Sequence, residues 1–423
     1  MLFIYGALTV GGIETFFVRM AKERFRKNLH TSILLLLKPE TSDDELLSEM
    51  RKYANVIFPE DIFIGPELFC RRFPLLCKVD EEALAANLKL IDQIHVYHGM
   101  HALLGYNLAQ KLKKDIPVTV GFYHYIKYLW GGDNVALHEK VNREFIFKYL
   151  PEESLSFFSK GNRELYIKHK KQRFEKSNTF RLGVINKKAV TLSGDTAFPI
   201  KIAAVGRLVE FKTYNFYMID VIKELTLKGI NIQFDIYGDG QLKQQVQEKI
   251  NKANLQDKIV LKGTLDYSKF DSTLSNYDLF IGSGTAIIQA SSLGVPSIVG
   301  VENMLEPHTY GYFCDVWQYE YNLKGLNLPL LKVEDIIHDF IKMEECKRLE
   351  LKQKHLDCID SFTNESCENS MDALKAIKMP IKEFKFNKYV YELSRMVDWF
   401  NMKLNSKHPR RTQFEDYRNI NEN

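Results

Sequence analysis

The segment that decides the fold lies at residues 202–212, IAAVGRLVEFK, where a run of small and β-branched residues ends in a glycine turn. The turn is followed by Arg207 and, five positions further on, by Lys212. A guanidinium group presents a planar set of donors that matches phosphate oxygens, and a lysine ammonium adds a compact positive charge. A strand that ends in these two cations predicts a site for a doubly negative group; the alternative is a solvated pair on a surface loop.

A second segment of the same kind follows at residues 277–300, YDLFIGSGTAIIQASSLGVPSIVG. Its pattern is a strand, a loop of small residues, a helix, a Gly-Val-Pro turn and another strand. Strands that alternate with helices in this way are typical of parallel sheets covered by helices on both faces. The two segments therefore predict parts of one doubly wound α/β domain.

Composition excludes several classes of protein. The chain has 423 residues, too many for one hydrophobic core, and its 45% hydrophobic and 26% charged residues are ordinary for a soluble protein. Its longest apolar run, residues 33–37, is far shorter than a membrane-spanning helix. The N-terminus begins on strand-like residues without a basic region or a cleavage site, which favours a cytoplasmic protein. Six cysteines without metal-ligand spacing indicate reduced thiols rather than disulfides: Cys70, Cys77, Cys314, Cys346, Cys358 and Cys367.

The net charge of +4 is unevenly distributed along the chain. Residues 1–190 carry 29 Lys and Arg against 22 Asp and Glu, and the excess is concentrated in the basic clusters 168–176 and 406–411. One interpretation is solvated helix faces. The other is contact with an anionic membrane, where each basic residue near the surface contributes about 1 kcal/mol. Nucleic acid is not an expected partner, because the sequence contains no basic motif interleaved with aromatic residues and no nucleic-acid-binding module.

Two successive sets of alternating strands and helices predict two domains. The first set of predicted strands lies at 2–8, 31–37, 55–58, 93–98, 118–123 and 155–159. The second set lies at 201–206, 230–238, 258–263, 277–282 and 296–300. Ser, Gly, Asp and Pro cluster at 193–199, which favours a boundary there. The predicted domains are therefore 1–192 and 193–378, followed by a C-terminal region, 379–423, with a helix over 379–404 and a polar tail.

Gly11 and Gly12 lie between the first predicted strand and the first predicted helix. Glycines allow a ligand to approach the backbone closely, and a helix N-terminus directs free N–H groups at an anion. The alternative is a tight turn without a ligand. A dinucleotide-binding site is not indicated, because the Gly-x-Gly-x-x-Gly fingerprint is absent here.

Four histidines lie near predicted strand ends. His95, His98 and His101 form the pattern HVYHGMH, but no cysteine or carboxylate stands at ligand spacing, so a metal cluster is not favoured. His124 follows Pro117 and a buried strand, at the carboxyl edge where ligands bind in α/β sheets. We therefore regard His124 as a candidate site residue, with a structural histidine as the alternative.

Together these segments resemble the family-4 retaining glycosyltransferases of GT-B fold, of the bacterial polysaccharide or lipid-linked glycan type. The resemblance covers roughly residues 2–26, 93–124 and 200–300. It implies two doubly wound Rossmann-like domains that face a cleft, with C-terminal helices that cross back to the first domain. It also implies transfer of a hexose from a nucleotide-diphosphate sugar to a hydroxyl of a glycan or lipid-linked acceptor. Retention of anomeric configuration, surface polysaccharide synthesis and a peripheral position on the inner face of the cell membrane follow from the same resemblance.

The resemblance also implies roles for residues of this chain. A diphosphate leaving group gains negative charge, which needs a divalent metal or fixed cations. No Asp-x-Asp triplet occurs in the sequence, so we expect fixed cations, no metal and no cofactor. The implied catalytic residues are His124, beside the reacting sugar, and Arg207 and Lys212, which hold the diphosphate. The implied donor-binding residues are Gly11, Gly12, Arg207, Lys212, the ribose-binding Gln289 and the hexose loop of Gly282, Ser283, Gly284 and Thr285.

The chain departs from this family where the family carries two glutamates eight positions apart. Ile281 and Gln289 occupy those positions here. A glutamine amide can still hydrogen-bond ribose hydroxyls, but an isoleucine cannot bind a polar sugar. The hexose loop could substitute through its backbone N–H groups and hydroxyls. The main alternative is a catalytically degenerate GT-B subunit that binds a glycan or a partner. A GT-B epimerase or phosphorylase is less favoured, because neither a carboxylate-rich site nor a cofactor-anchoring lysine motif is present.

Overall fold

The computed structural model describes residues 1–9, 11–124, 127–170 and 172–412. Lys171 of the basic cluster 168–176 and residues 413–423 of the predicted polar tail lie outside this part of the chain. The strands are β1 (Leu2–Tyr5), β2 (Ser32–Leu35), β3 (Asn55–Ile57), β4 (Phe63–Ile64), β5 (Lys78–Val79), β6 (Ile94–Val96), β7 (Val118–Phe122), β8 (Leu155–Phe157), β9 (Asn178–Thr179), β10 (Ile200–Val205), β11 (Ile232–Tyr237), β12 (Ile259–Gly263), β13 (Leu279–Gly282), β14 (Ser297–Val299), β15 (His308–Thr309) and β16 (Leu331–Lys332).

Helices connect most of these strands. The α-helices are α1 (Gly12–Arg26), α2 (Asp44–Tyr53), α3 (Glu67–Arg72), α4 (Glu81–Leu88), α5 (Gly99–Lys111), α6 (Leu137–Glu144), α7 (Lys160–Lys170), α8 (Tyr214–Leu227), α9 (Lys243–Lys252), α10 (Phe270–Leu274), α11 (Gly284–Ser291), α12 (Phe313–Val316), α13 (Val333–Lys342), α14 (Glu345–Ile359), α15 (Asn364–Ala373) and α16 (Lys388–Leu404). A π-helical turn, Phe145–Tyr149, continues α6. Short 3-10 helices lie at Pro39–Thr41, Pro59–Asp61, Glu152–Ser154, Tyr267–Lys269, Asp360–Phe362 and Leu374–Ala376.

The chain divides into two units. Unit 1 comprises Met1–Gly183 and Asn364–Asn423, and unit 2 comprises Val184–Thr363. The limits predicted from the sequence, after residues 192 and 378, lie further along the chain than these divisions. Each predicted strand overlaps a strand of the structure, which confirms the doubly wound α/β class.

Unit 1 is built on a parallel sheet of seven strands in the order β3-β2-β1-β6-β7-β8-β9. The strands read as continuous apolar runs because helices cover both faces, and Leu2, Phe3 and Ile4 of β1 are fully buried. The helix after β1 buries the predicted apolar face, including Phe16 and Phe17. Consecutive strands run outward from β1 to β3, and β6 then lies on the other side of β1. The point where the order reverses is therefore between β1 and β6.

Unit 2 repeats this plan with five parallel strands in the order β12-β11-β10-β13-β14. Its core comprises strand and helix residues such as Ile202, Phe234 and Ile222. The order of the strands reverses between β10 and β13. Loops that leave neighbouring strands in opposite directions at such a point open a crevice at the carboxyl edge, which is where α/β sheets bind ligands.

The C-terminal segment packs within unit 1. Arg24 of α1 is fully buried and forms ion pairs with Glu368 and Asp372 of α15, at 2.7 and 3.0 Å. Lys27 at the end of α1 also pairs with Glu368, at 2.5 Å. A buried guanidinium requires such partners, since an unpaired buried charge is strongly destabilising. Residues that are distant in sequence therefore form one core.

The helix predicted over 379–404 is shorter than expected, because it begins at Lys388. Asn387 caps its N-terminus by accepting hydrogen bonds from the backbone N–H groups of Tyr389 and Val390, at 3.0 and 3.1 Å. The residues before Asn387 are not helical, and Phe384 packs its ring against Phe145 of unit 1. The apolar residues before Asn387 therefore anchor an irregular segment instead of continuing the helix.

Candidate functional site

The point of strand reversal in unit 2 brings together the cations and the small-residue loop that the sequence singled out. Arg207 follows β10 directly, and residues 282–285 lie at the junction of β13 and α11. Since β10 and β13 are neighbours in the sheet, both segments leave from the same carboxyl edge. This places the predicted diphosphate-binding and hexose-binding residues in one crevice of one unit.

The turn after β10 is fixed by close contact with the turn after β11. Gly206 donates its N–H to the carbonyl of Tyr237 at 2.9 Å, and Leu208 donates to the carbonyl of Asp239 at 2.9 Å. A β-carbon added to Gly238, whose φ is 155°, would lie 1.9 Å from the carbonyl oxygen of Gly206. Only glycine allows this approach. The backbone that presents Arg207 is therefore held by its neighbour in the sheet.

Arg207 and Lys212 differ in their surroundings. Arg207 is exposed and has no hydrogen-bond or ion-pair partner among the described residues. Lys212 is half-buried, and a β-carbon added to Gly206 would lie 2.6 Å from its Nζ atom. Burial lowers the pKa of Lys212, Glu302 raises it, and Arg207 lowers it further. Two cations close enough to repel each other form a site that an anion would stabilise.

Glu302 is a site residue that the sequence analysis missed. Its Oε1 atom accepts a hydrogen bond from the Ser283 hydroxyl at 2.8 Å. Burial raises the pKa of Glu302, whereas the Ser283 hydrogen bond and Lys212 oppose that rise. The residue follows β14, the strand beside β13, so its position after a predicted strand was the signal that could have identified it.

The hexose loop caps α11. Ser283 is the N-cap and is buried, and Gly284 has a φ of 65°, in the region that favours glycine. A β-carbon on Gly284 would meet no atom within 4 Å, so a ligand could approach its backbone closely. The Gly284 N–H is already donated to Asn322 Oδ1 at 3.0 Å, so the expected nest of free N–H groups is partly occupied. Thr285, the next residue, is exposed.

The two positions where the family carries glutamate have different environments. Ile281 is fully buried in β13 and faces the core, so it takes no part in binding a ligand. Gln289 is half-buried, four residues after Thr285, and therefore lies on the same face of α11. Its side-chain amide makes no hydrogen bond within the described part of the chain and is available to a ligand.

Gly11 and Gly12 lie in unit 1, at the start of α1. Gly11 is the N-cap, and a β-carbon there would lie 2.4 Å from Glu14 Oε2. The same carboxylate accepts hydrogen bonds from the hydroxyls of Tyr5 and Thr9, both at 3.1 Å. A carboxylate of the chain itself therefore occupies the electropositive end of α1, which disfavours an anionic ligand at that place. Gly12 has open space above its backbone.

His124 also lies in unit 1, two residues after the end of β7. It is half-buried, and burial together with the nearby Lys127 lowers its pKa. Lys127 itself is half-buried, and burial together with the nearby Arg410 lowers its pKa to about 8. The imidazole of His124 is therefore neutral near pH 7 and can accept or donate one hydrogen bond.

The three other histidines, those of the pattern HVYHGMH, have different hydrogen-bond partners, although the ring centres of His98 and His101 lie 5.4 Å apart. His95 bonds to Thr119 Oγ1 at 2.9 Å and to the Tyr123 hydroxyl at 2.8 Å. His98 bonds to Arg410 at 3.2 Å. His101 is buried, and its Nδ1 atom has no partner. Over the described ranges, no three His, Cys, Asp or Glu side chains are grouped so that they could hold a metal ion.

A cavity of about 560 Å³ opens at the carboxyl ends of β1 and β2 in unit 1. Its walls are mainly apolar, with Leu36, Met100 and Trp399, and His101 lines it as well. Burial lowers the pKa of His101 to about 3, so this side chain is neutral. The cationic residues around the cavity are Lys38, Arg71, Arg72, Arg395 and Arg410. The cavity therefore combines apolar surface with positive charge.

Comparison with known proteins gives a family-model match that lies in unit 2. Residues 196–315 match the family model of the glycosyl transferases group 1. An uncharacterised glycosyltransferase of Methanocaldococcus jannaschii is 31% identical over 165 residues, 33% of this chain and 40% of that protein. The 2-deoxystreptamine N-acetyl-D-glucosaminyltransferase of Niallia circulans is 30% identical over 100 residues, 22% of this chain and 25% of that protein. The matches thus span less than half the length of these curated relatives.

Solved structures match nearly the whole fold at low sequence identity. A glycosyltransferase from Rickettsia africae gives a TM-score of 0.58 at 14% identity, over 88% of this chain and 97% of that one. Anabaena HepE, solved in complex with UDP, gives 0.56 at 14% identity, over 88% and 98%. A lipopolysaccharide outer core galactosyltransferase gives 0.54 at 15% identity, over 88% and 99%. The fold is that of the GT-B glycosyltransferases, which confirms the predicted fold class.

Proposed function

We propose that this chain is a glycosyltransferase that moves a hexose from a nucleotide-diphosphate sugar to a hydroxyl group of an acceptor. The observation that carries the proposal is the pairing of Arg207 and Lys212 at the strand reversal of unit 2, beside the loop that caps α11. The match of residues 196–315 to the group 1 glycosyl transferases covers this region. The UDP bound by the structurally similar Anabaena HepE supports a nucleotide donor of the same kind.

In this proposal Arg207 and Lys212 bind the diphosphate and stabilise the charge that develops as the sugar–phosphate bond breaks. Fixed cations in a partly buried site perform this task without reorganisation during the reaction. The proposed reaction retains anomeric configuration and needs neither a divalent metal nor a cofactor. Gln289, whose amide both donates and accepts, binds the ribose hydroxyls.

In this proposal Glu302 supplies the carboxylate that the resembled family carries at the position of Ile281. Its carboxylate is fixed by the Ser283 hydroxyl, next to Lys212, and can accept hydrogen bonds from hexose hydroxyls. The exposed Thr285 offers a further hydroxyl on the same loop. Hydrogen bonds to charged groups contribute roughly 1.5–3 kcal/mol each, which is enough to orient a sugar.

The proposed acceptor is a glycan or a lipid-linked glycan that binds in unit 1. The cavity at the ends of β1 and β2 supports this choice, because its apolar walls suit a lipid and its arginines suit a phosphate. The neutral His124 is proposed to lie at the reacting centre. Synthesis of a surface polysaccharide, at the inner face of the cell membrane, is the proposed setting. No helix in the described residues is long and apolar enough to span a bilayer.

The second candidate function is that of a catalytically degenerate GT-B subunit that binds a glycan or a partner. The burial of Ile281 favours this candidate, because the resembled family carries a glutamate at that position and here the side chain is apolar and packed in the core. The free cations Arg207 and Lys212 oppose it, since a subunit without a donor gains nothing from two mutually repelling charges. The two candidates differ in whether donor binding is followed by turnover.

A panel of UDP-, GDP-, ADP- and CMP-sugars, measured by thermal shift and then by product formation, tests the proposal. A ligand present at 100 times its Kd stabilises the folded protein by about 2.7 kcal/mol. We expect at least one diphosphate sugar to stabilise the protein and to be turned over, and the CMP-sugar, with one phosphate, to stabilise it less. Binding without turnover, with all donors and with glycan and lipid-linked acceptors, would favour the degenerate subunit. Absence of any binding would refute the assigned donor site.

A further inference from the structure

Helix α16 presents its apolar face to solvent. The exposed apolar side chains repeat every three or four residues and so form one stripe along the helix. They are between 44% and 88% exposed: Tyr389, Val390, Leu393, Val397, Phe400 and Leu404. A helix on the surface of a globular protein ordinarily directs such a stripe towards the core.

The opposite face of α16 carries buried polar groups that are held by ion pairs and hydrogen bonds, although Glu392 Oε1 and Asp398 Oδ2 have no hydrogen-bond partner. The Tyr391 hydroxyl donates to Asn142 Oδ1 at 2.8 Å. Glu392 is buried and pairs with Arg395 at 2.6 Å, and Asp398 is buried and bonds to His408 at 3.1 Å. The acidic side chains of α16 thus point inwards and are neutralised there. With its acidic side chains buried and its apolar stripe exposed, α16 presents an outer surface that suits an apolar partner.

Cations border the exposed stripe. Trp399 lies beside it, with the Lys403 ammonium 3.9 Å and the Arg72 guanidinium 5.1 Å from its ring centre. Arg72 belongs to α3, whose Leu68 and Phe69 are also exposed apolar residues. The outer surface of α16 and α3 therefore combines apolar and aromatic side chains with positive charge. It carries no acidic residue of α16, and the exposed Glu67 of α3 is paired with Arg71.

We propose that α16 and α3 form a surface that docks on an anionic lipid bilayer. A helix with apolar and aromatic residues on one side and flanking Lys and Arg lies in the plane of the headgroups, with its apolar side chains in the acyl boundary. The 17 residues of α16 would lie along the bilayer for about 25 Å. The proposal rests on the membrane location proposed above, but it does not depend on sugar transfer. It assigns the contact to α16 rather than to the basic cluster 168–176.

Charge distinguishes a bilayer from a second copy of the chain. A symmetric dimer through this surface would bring two copies of Arg72 and Lys403 into one interface, without an acidic residue of α16 there to pair with them. Such a juxtaposition of like charges disfavours association. An anionic headgroup layer instead complements the cations, while the acyl chains accept Leu393, Val397 and Phe400.

Co-sedimentation with vesicles tests the docking surface. The full chain is mixed with vesicles of phosphatidylcholine alone or with 30% phosphatidylglycerol, and the double variant Leu393→Gln, Phe400→Gln is compared with wild type. We expect wild type to bind the anionic vesicles in a salt-sensitive manner, and the double variant to lose on the order of tenfold affinity per side chain. The matched control is Leu227→Gln, Leu305→Gln, which changes two exposed leucines of unit 2 and should bind as wild type does.

Two measurements keep the outcomes distinct. Because Leu393 and Phe400 are exposed, the double variant should unfold at the wild-type temperature and bind the nucleotide-sugar donor as wild type does. Equal vesicle binding by wild type and the double variant would overturn the proposal, as would equal binding to neutral and anionic vesicles. Sedimentation velocity tests the competing occupant, a second copy of the chain. If wild type forms a dimer and the double variant does not, the surface is a dimer interface and the bilayer proposal is wrong.

Discussion

The two units share one topology but differ at the edge where α/β sheets bind ligands. In unit 2 the helix that starts at the strand reversal, α11, begins near Lys212 and the exposed Arg207. In unit 1 the helix that follows the first strand at the reversal, α1, begins next to the carboxylate of Glu14. At the start of α11 the cations Arg207 and Lys212 lie beside the carboxylate of Glu302, whereas at the start of α1 the Glu14 carboxylate accepts hydrogen bonds from two hydroxyls. The two helix starts therefore differ in side-chain charge, and the proposed donor site lies at the cationic one.

The largest expected effect is the loss of the unit 2 cations. Replacing Arg207 or Lys212 by Ala removes a charge-assisted hydrogen bond worth roughly 1.5–3 kcal/mol, so donor affinity should fall about 10- to 100-fold in each variant. Isothermal titration with the best-stabilising donor of the panel measures this. Lys252→Ala, which removes an exposed lysine at the end of α9, is the control. If both single variants bind the donor as wild type does, the charge contrast between the units has no functional meaning.

Glu302 sharpens the comparison, because it puts a carboxylate into the cationic edge. We expect Glu302→Ala to lower kcat/KM for the donor sugar about tenfold, since a hydrogen bond to the hexose is lost. The same variant should bind the free nucleoside diphosphate at least as tightly as wild type, because a negative charge beside Lys212 is removed. Parallel loss of affinity for sugar donor and free nucleotide would show that Glu302 supports the fold of the site instead.

The pH dependence of donor binding reports on Lys212. Its pKa lies below the ordinary lysine value, chiefly because of burial, so the ammonium is present at low pH and is lost as the pH rises through the lowered pKa. Donor affinity should therefore weaken on the alkaline side before exposed lysines titrate. In Lys212→Arg the cation persists, and affinity should stay level over the same range. An identical alkaline decline in wild type and Lys212→Arg would assign the titration to another group.

Glu14 tests the start of α1 in unit 1. Glu14→Gln keeps the size of the side chain and removes its charge, so donor affinity should not change if the donor binds in unit 2 alone. Stability should fall by about 1–3 kcal/mol, because the hydroxyls of Tyr5 and Thr9 lose a charged acceptor. Denaturant titration and calorimetry separate the two effects. A clear change in donor affinity would indicate that the start of α1 does contribute to donor binding.

The smallest expected effect is that of a chelator. Since Arg207 and Lys212 provide fixed positive charge, EDTA should leave the rate of transfer unchanged. The rate is measured with and without EDTA, and again after Mg²⁺ or Mn²⁺ is added in excess. Loss of transfer on chelation, with recovery on addition of either ion, would contradict a metal-free mechanism.

The sequence predicted the strands of both sheets except the two-residue β9, and it predicted the cationic turn, because these depend on local patterns. Gly206 and Arg207 are visible in the local sequence, but the contact with the turn after β11 that fixes their backbone is not. Glu302 was missed because its contact with Ser283 and its proximity to Lys212 arise from packing between three separate loops. The position of the Glu14 carboxylate beside Gly11 was also missed, because it depends on side-chain contacts with Tyr5 and Thr9 that the sequence pattern does not show.

Helix α16 shows a different limit. Its sequence spacing reveals an apolar stripe, but periodicity alone does not show which face of a helix is buried. The structure buries Glu392 and Asp398 instead, because unit 1 offers them partners. The start of the helix was also misplaced, since the cap supplied by Asn387 outweighed the apolar pattern before it.

The buried pairs of Arg24 with Glu368 and Asp372 have a consequence for synthesis of the protein. Unit 1 is made of the first and the last parts of the chain, whereas unit 2 is one continuous stretch, Val184–Thr363. A ribosome therefore releases every residue of unit 2 before α15, with the partners of Arg24, leaves the exit tunnel. Domains fold as units during translation. Synthesis of unit 1 therefore begins first and is completed last. Until α15 has been made, Arg24 of α1 lacks its carboxylate partners and the core of unit 1 is incomplete.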